Sequence, residues 1–224
     1  MAADVSPETA SDNTYKRIRS DIIFGRLEPG KKLRLEKLRA QYITSVSTLR
    51  EVLFRLVSEG LVTAEGQRGF GVVDISVANL REVAAMRNLL EGHALRQSFA
   101  SGDIEWEGRV VAAYHKLCRL EEMMLNGEQE RTMQWKNYDR EFHGALISAC
   151  GSRALLETHS VIFDQFLRYQ ILAVVFRGKQ AAQEHKDLLQ CALERDADRA
   201  LEILDRHISA CIEYTVSLGT LPER

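Results

Sequence analysis

The chain has 224 residues, 45% of them apolar and 28% charged, with a net charge of −2. That is the make-up of a soluble globular protein, long enough for one domain of ordinary size and a small second one. The opening stretch, MAADVSPETASDN, has no basic start and no apolar run. This excludes a secretory signal or a membrane span there, and the stretch reads as a disordered tail. The cysteines at 118, 150, 191 and 211 form no CxxC pair and sit in apolar helical surroundings. They suit reduced core thiols in a cytoplasm rather than a disulfide framework.

Charge is polarised along the chain. Residues 14–73 hold 12 Lys and Arg against 6 Asp and Glu, a net +6 that leaves −8 on the remainder. A basic segment joined to an acidic body is the electrostatic footprint of a nucleic-acid binder with a second, non-binding domain. On charge alone, chance fluctuation over a solvated surface reads the same way.

TYKRIRSDIIFG places Tyr15, Ile18, Ile22 and Ile23 at helical spacing and ends at Gly25; LEPGKKL then turns through Pro29 and Gly30. RLEKLRAQY is a short second helix and ITSV a polar break. STLREVLFRLVSEG is a third helix, with Leu49, Leu53, Leu56 and Val57 inward and Gly60 as its stop. The runs LVTAE and FGVVDI around GQRG read as a β-hairpin with glycines at its tip.

Three helices followed by a hairpin is the order of a winged helix-turn-helix. Its third helix enters the major groove by the N-terminal end, so polar residues come first and the core stripe later. Ser47, Thr48 and Arg50 form that groove end. Arginine supplies the two-pronged fork that reads guanine, and short hydroxyls reach phosphate or base edges. The plainer alternative is that Ser47 caps the helix and Arg50 is exposed surface. At the hairpin tip, Arg68 between Gly66 and Gly69 can approach the minor groove closely.

The stretches YKRIRSDIIFGRLEPGKKL, STLREVLFRLVSEGLV and GQRGFGV resemble the DNA-binding domain of the GntR family of bacterial transcription regulators, over roughly residues 14–73. That family usually carries an arginine four residues before the one matching Arg50, and a glycine at the helix turn. Here those positions are Val46 and Ile43. The resemblance therefore implies a double-stranded DNA partner, with more of the recognition carried by Ser47, Thr48, Arg50, Arg68 and Gly69.

From Ser76 onward there is no proline until Pro222 and no strand-like alternation. Breaks at 101–103, 126–128, 150–152, 177–179 and 195–198 cut this part into six helical segments, most of them longer than 20 residues. In the first, Leu80, Val83, Met86, Leu90 and Ala94 lie near one stripe. The fold class is mainly α, with an N-terminal winged helix-turn-helix at 14–75 and a C-terminal all-helical antiparallel bundle at 76–217.

Polar residues at core spacing are the second signal. Asp139 and His143 share one helix face, and His185 and His207 lie on later helices flanked by apolar stripes. One carboxylate and three imidazoles converging from three helices make a site for a divalent transition metal (Zn, Ni or Mn), with positions left for water or a ligand. Any single histidine reads more readily as a hydrogen-bonded core or surface residue.

Together, the four residues and their spacing resemble the effector domain of the FadR-like subgroup of the same family, the all-helical FCD domain, over about residues 76–217. There a metal sits in the bundle and small organic acids bind beside it. The resemblance implies that Asp139, His143, His185 and His207 are metal ligands and leaves His93, His115 and His159 as structural. An organic acid also needs a cation. Arg87 matches a recurrent arginine of the domain's first helix, and the phase of its helix turns Arg168 towards the cavity. Either could clamp a carboxylate, and either could instead be a surface arginine. The resemblance suggests dicarboxylates or hydroxy acids, with some similarity to glutarate-responsive repressors.

The expectation is thus a cytoplasmic DNA-binding regulator, not an enzyme, and most simply a repressor released from DNA by an organic acid. It should be a homodimer on a palindromic operator, since one helix and one wing cover too few base pairs. The rival is a metal-dependent hydrolase on the bundle, with a basic adaptor. Such a site needs a general base; Glu141 points away by helical phase, and Glu184 is the weak remaining candidate.

Overall fold

The computed structural model describes residues 9–64, 66, 69–128, 131–172 and 176–223, and the chain divides into two units after Ile75. Helix α1 spans Ala10–Ile23, four residues earlier than its apolar spacing suggests. Thr9 caps it, accepting a hydrogen bond from Asp12 N at 3.1 Å, and Asp12 places negative charge at the helix start. Residues 10–13, expected in the tail, are its first turn; they carry no apolar stripe, so periodicity alone does not reveal them.

The rest of the N-terminal unit is β1 (Lys32–Leu33), α2 (Leu35–Tyr42), α3 (Val46–Ser58), β2 (Val62–Ala64) and β3 (Phe70–Val72). The strands form an antiparallel sheet in the order β1-β3-β2, pairing Val62 with Val72 and Leu33 with Phe70. The expected hairpin is β2 with β3. The additional β1 is only two residues long, too short to show alternation. At the turn before it Gly30 has φ +69°, and a Cβ there would lie 2.3 Å from Asp74 Oδ1, so only glycine fits.

Ile18 and Ile22 of α1, Leu38 of α2, Leu49, Val52, Leu53 and Leu56 of α3, and Val62 and Val72 of the sheet make the core of this unit. Each such side chain contributes about 1.5–3 kcal/mol by leaving water. Val52 is fully inside, whereas Val57, expected inward, is only half-buried. Ser45, not Ser47, caps α3, accepting from Thr48 N at 3.0 Å.

The second unit contains α4 (Val77–Ser101), α5 (Ile104–Leu125), α6 (Thr132–Ile147), α7 (Arg153–Leu172), α8 (Lys179–Glu194) and α9 (Ala197–Ser217). These are the six expected segments. α5 packs on α6 and α8, α4 packs on α7 and α9, and α8 packs on α9. Trp106 of α5 donates from Nε1 to the carbonyl of Ala145 in α6 at 3.0 Å, locking that pair. The inward face of α4 differs from the expected stripe. Met86 is 42% exposed, and Arg87 and Glu91 are wholly buried in line with Leu80, Ala84 and Ala94. A charged pair one turn apart can occupy a core face when each member neutralises the other. Among the described residues, no helix is long and apolar enough to cross a membrane.

Ile43 ends α2 in the left-handed region, with φ 50° and 90% exposure. A β-branched residue is strained there, and its side chain gains almost nothing from burial. Ile43→Gly should therefore stabilise the N-terminal unit, by up to about 1 kcal/mol after the extra unfolded-state entropy of glycine. Denaturant unfolding of the two proteins measures this; a less stable variant would mean that Ile43 makes contacts worth more than its strain.

Candidate functional site

Four side chains converge inside the helical unit. Asp139 and His143 come from α6, His185 from α8 and His207 from α9, all buried, each offering one ligand atom within 4.8 Å of the others. The i, i+4 spacing puts the α6 pair on one face, and Phe142 packs edge-on against both His143 and His185. His185 Nε2 lies 3.2 Å from Asp139 Oδ1, and His143 Nε2 lies 3.9 Å from it. Donors bound tetrahedrally to one ion at about 2.1 Å lie about 3.4 Å apart, so the set needs to close by up to about 0.7 Å per donor.

The other nitrogen of each imidazole is tied to a carboxylate. His143 Nδ1 donates to Glu91 of α4, His185 Nδ1 to Glu121 of α5 at 2.7 Å, and His207 Nδ1 to Glu184 of α8 at 2.8 Å. This turns the Nε2 edges of His143 and His185 towards the cluster, as in carboxylate–histidine–metal arrangements; His207 Nδ1 also lies 3.1 Å from Arg177 Nη2. Among the described residues, His143 Nε2, His185 Nε2 and Asp139 Oδ2 are buried with no hydrogen-bond partner. Buried polar atoms left open in this way are costly unless something meets them. The residues present fit a divalent metal ion.

The same network sets the protonation of the metal-free cluster. Burial disfavours the charged form of His207 and drives its pKa down to about 3, against the pull of Glu184. Burial also lowers His143, opposed by Glu91. His185 is the exception. Burial lowers it too, but the carboxylates of Asp139 and Glu121 outweigh that and push it up to about 9. Asp139 is held well below the usual carboxylate range, since Lys136 and the nearby imidazoles overcome its burial.

Two arginines were expected to meet an organic acid, and neither is a surface residue. Arg87 is fully buried. Its Nε donates to Glu91 Oε2 at 2.8 Å, its guanidinium lies over Phe163 and Phe166, and Nη1 and Nη2 have no hydrogen-bond partner among the described residues. Arg168 is buried on α7, and neither arginine is among the residues lining the small cavity beside the cluster. That cavity, about 10 Å³, is bounded by Trp135, Lys136, Asp139, Gln170, Arg177, Ala181, His207 and Cys211.

In the N-terminal unit, Ser47 and Arg50 are exposed at the start of α3, and Thr48 is half-buried. Ser47 Oγ lies 2.7 Å from Ser45 Oγ, and Thr48 Oγ1 2.9 Å from it. Arg50 makes no hydrogen bond or ion pair among the described residues and stands open to a partner. Gly69 has φ +94°, a conformation that glycine adopts without strain. Arg68 lies outside the described residues.

Sequence reasoning missed Glu91, Glu121, His159 and Lys136. His159 Nε2 sits 3.0 Å from Glu91 Oε2, so this histidine, read as structural, supports the carboxylate that orients His143. A usable signal was the Arg87 and Glu91 pair interrupting the apolar stripe of α4. Of the two candidate bases, Glu141 is on the exterior with Lys116, and Glu184 is held by His207 and by Arg177 at 2.6 Å. Neither is free to activate water.

Comparison with known proteins bears on both units. The family described as bacterial regulatory proteins of the gntR family matches residues 10–72, and the FCD domain matches residues 82–210. The HTH-type transcriptional regulator BphR of Paraburkholderia xenovorans is 39% identical, over 98% of this chain and 93% of that protein. The HTH-type transcriptional repressor GlaR of Escherichia coli is 32% identical, over 87% of this chain and 90% of its own length. Among solved structures, E. coli McbR/YncC superposes with a TM-score of 0.77 at 18% identity, covering 95% of this chain and 99% of that one. A putative GntR regulator from Rhodococcus sp. RHA1 gives 0.75 at 19% identity, covering 92% and 97%. At those identities the structures speak for the fold alone.

Removing the cation from the buried Arg87 and Glu91 pair should strand Glu91 on two imidazoles. We expect Arg87→Met to destabilise the helical unit by about 3 kcal/mol. Both tryptophans, Trp106 and Trp135, lie in this unit, so fluorescence-detected urea unfolding reports on it alone. Wild-type stability in the variant would mean that His143 and His159 carry Glu91 without the arginine.

Proposed function

This chain belongs to the gntR family of bacterial regulatory proteins and carries an FCD domain, and on that premise we propose how its two parts work together. It is a DNA-binding transcriptional regulator, not an enzyme. In our reading residues 14–75, with α1 reaching back to Ala10, bind operator DNA, and residues 76–217 sense a small organic acid beside a metal. The protein acts as a repressor in the cytoplasm, as a homodimer on a palindromic operator. The repressor sense is supported by the name of the relative GlaR; the dimer, by the need to double a contact surface of one helix and one wing.

The observation that carries the sensor reading is the carboxylate behind each of the three imidazoles, which leaves the Nε2 edge of His143 and one oxygen of Asp139 without partners and turns His185 Nε2 towards Asp139. Asp139, His143, His185 and His207 would hold the ion, and a donor set of three nitrogens and one oxygen suits Zn, Ni or Mn. When bound, the metal supplies a fixed positive charge for an acid's carboxylate. Arg87, with two unsatisfied nitrogens, and Arg168 are the candidate cations for the same ligand, and a dicarboxylate such as glutarate is the class the family resemblance suggests. On the DNA side, Ser47, Thr48 and Arg50 enter the major groove, with Gly69 and Arg68 at the wing.

If the acid binds one arrangement of the helices better than another, it must weaken operator affinity by the factor by which DNA weakens acid binding. Arg50→Ala should cost about 1–3 kcal/mol of specific binding and relax preference at one position of each half-site. Mobility-shift titrations on cognate and scrambled DNA measure this, and equal loss on both would make Arg50 a phosphate contact. His143→Ala should abolish release by the acid and lower bound metal while operator affinity stays within about threefold of wild type. If His143→Ala keeps its metal and leaves DNA at the wild-type acid concentration, the four-residue cluster is not the sensor.

A further inference from the structure

Lys136 is 1% exposed, one turn before Asp139 on α6. The buried Arg87 and the half-buried Arg177 each face a carboxylate, Glu91 at 2.8 Å and Glu184 at 2.6 Å. Lys136, among the described residues, has no ion pair. Its Nζ donates to the neutral Gln170 Oε1 at 3.0 Å and lies 4.0 Å from the ring centre of Trp135. Gln170 is itself held, its Nε2 donating to Cys211 Sγ at 3.0 Å. Ionised Asp139 lies one turn away but makes no ion pair with it, and an ammonium buried with no carboxylate in contact is costly to keep in a core. A methionine would fill much the same space at far lower cost.

The cavity that Lys136 lines is also lined by Asp139 and His207. An anion that enters it therefore meets the lysine and the metal-ligand cluster from one position. We propose that Lys136 receives the second carboxylate of a dicarboxylate effector whose first carboxylate meets the ion that Asp139 and His207 would help to hold, so that this lysine separates dicarboxylic from monocarboxylic acids. The inference rests on the organic-acid reading above and adds to it the residue that sets the ligand class. At about 10 Å³ the cavity has room for one water molecule. Entry of an acid thus requires the long side chains of Lys136 and Arg177 to swing aside. Arg177 would then leave Glu184 and the His207 carbonyl, which it now contacts at 2.6 and 3.2 Å, and occupancy of the cavity would reach α8 and α9 directly.

The test is a set of acid titrations of the full-length protein with Zn²⁺ added, followed by thermal shift and by release from operator DNA. Succinate and glutarate are compared with butyrate and pentanoate, which have the same chain lengths and one carboxylate fewer, at matched ionic strength. A diacid should bind wild type at least about tenfold more tightly than the monoacid of its length. Lys136→Met should bring the diacid to the monoacid level, and Lys136→Arg should retain part of the preference. Equal binding of diacids and monoacids by wild type would overturn the role of Lys136 while leaving the organic-acid reading intact, as would a preference that survives in Lys136→Met. If no acid shifts wild type, the organic-acid reading fails and this inference falls with it. Should Lys136→Met not fold, Lys136→Gln and the wild-type ratio decide.

Discussion

The helical unit is organised around one constraint: three imidazoles buried in its centre, each of which must have its second nitrogen satisfied. The partners are Glu91, Glu121 and Glu184, from three different helices. His159 from α7 and Arg87 from α4 complete the coordination of Glu91. All six helices of the unit thus contribute a polar group to one connected network. Such networks add little net stability compared with apolar packing, because desolvation offsets most of the attraction. What they impose is register. Rotating any one helix by a residue would leave a carboxylate or an imidazole buried without its partner.

The N-terminal unit is built on the opposite principle. Its centre is Ile, Leu and Val from α1, α2, α3 and the sheet, and its charges stay outside. Ser45 rather than Ser47 caps α3, which leaves the Ser47 hydroxyl at the exposed start of the helix beside Arg50. The strain at Ile43 sits at the turn leading into this helix. Left-handed backbone at a β-branched residue persists only where the surrounding structure holds it, and here the packing of Leu38 and Tyr42 on one side and Leu49 on the other does so.

Buried charge is also what gives the helical unit its chemical character. Arg87 pulls Glu91 well below the usual carboxylate range, overcoming its burial with the help of His143. Asp139 stays ionised beside Lys136, while His207 is kept neutral. Anionic oxygen and neutral imidazole nitrogen are the forms in which these groups coordinate a metal. His185 differs, since two carboxylates hold its proton in the metal-free state; an arriving ion would have to displace that proton. Lys136 and Arg177 line one side of the cavity beside the cluster, Arg177 already paired with Glu184.

Local sequence determined the helices, their breaks and the hairpin, because apolar periodicity, glycine stops and turn residues act over a few positions. It also pointed to Asp139, His143, His185 and His207, whose residue types and spacing are unusual at core positions. It did not show the first turn of α1, which rests on a capping hydroxyl rather than on an apolar stripe, or β1, whose two residues form a strand only by pairing with β3. Nor could it show that Arg87 replaces Met86 on the inner face of α4, that His159 supports Glu91, or that Lys136 lies buried next to the cluster. Those facts depend on which helix packs against which: Glu91 lies one turn from Arg87, but the imidazoles that hold Glu91 and the Gln170 amide that meets Lys136 come from residues tens of positions away. Only the tertiary structure decides whether a polar residue within a helix faces water or a partner.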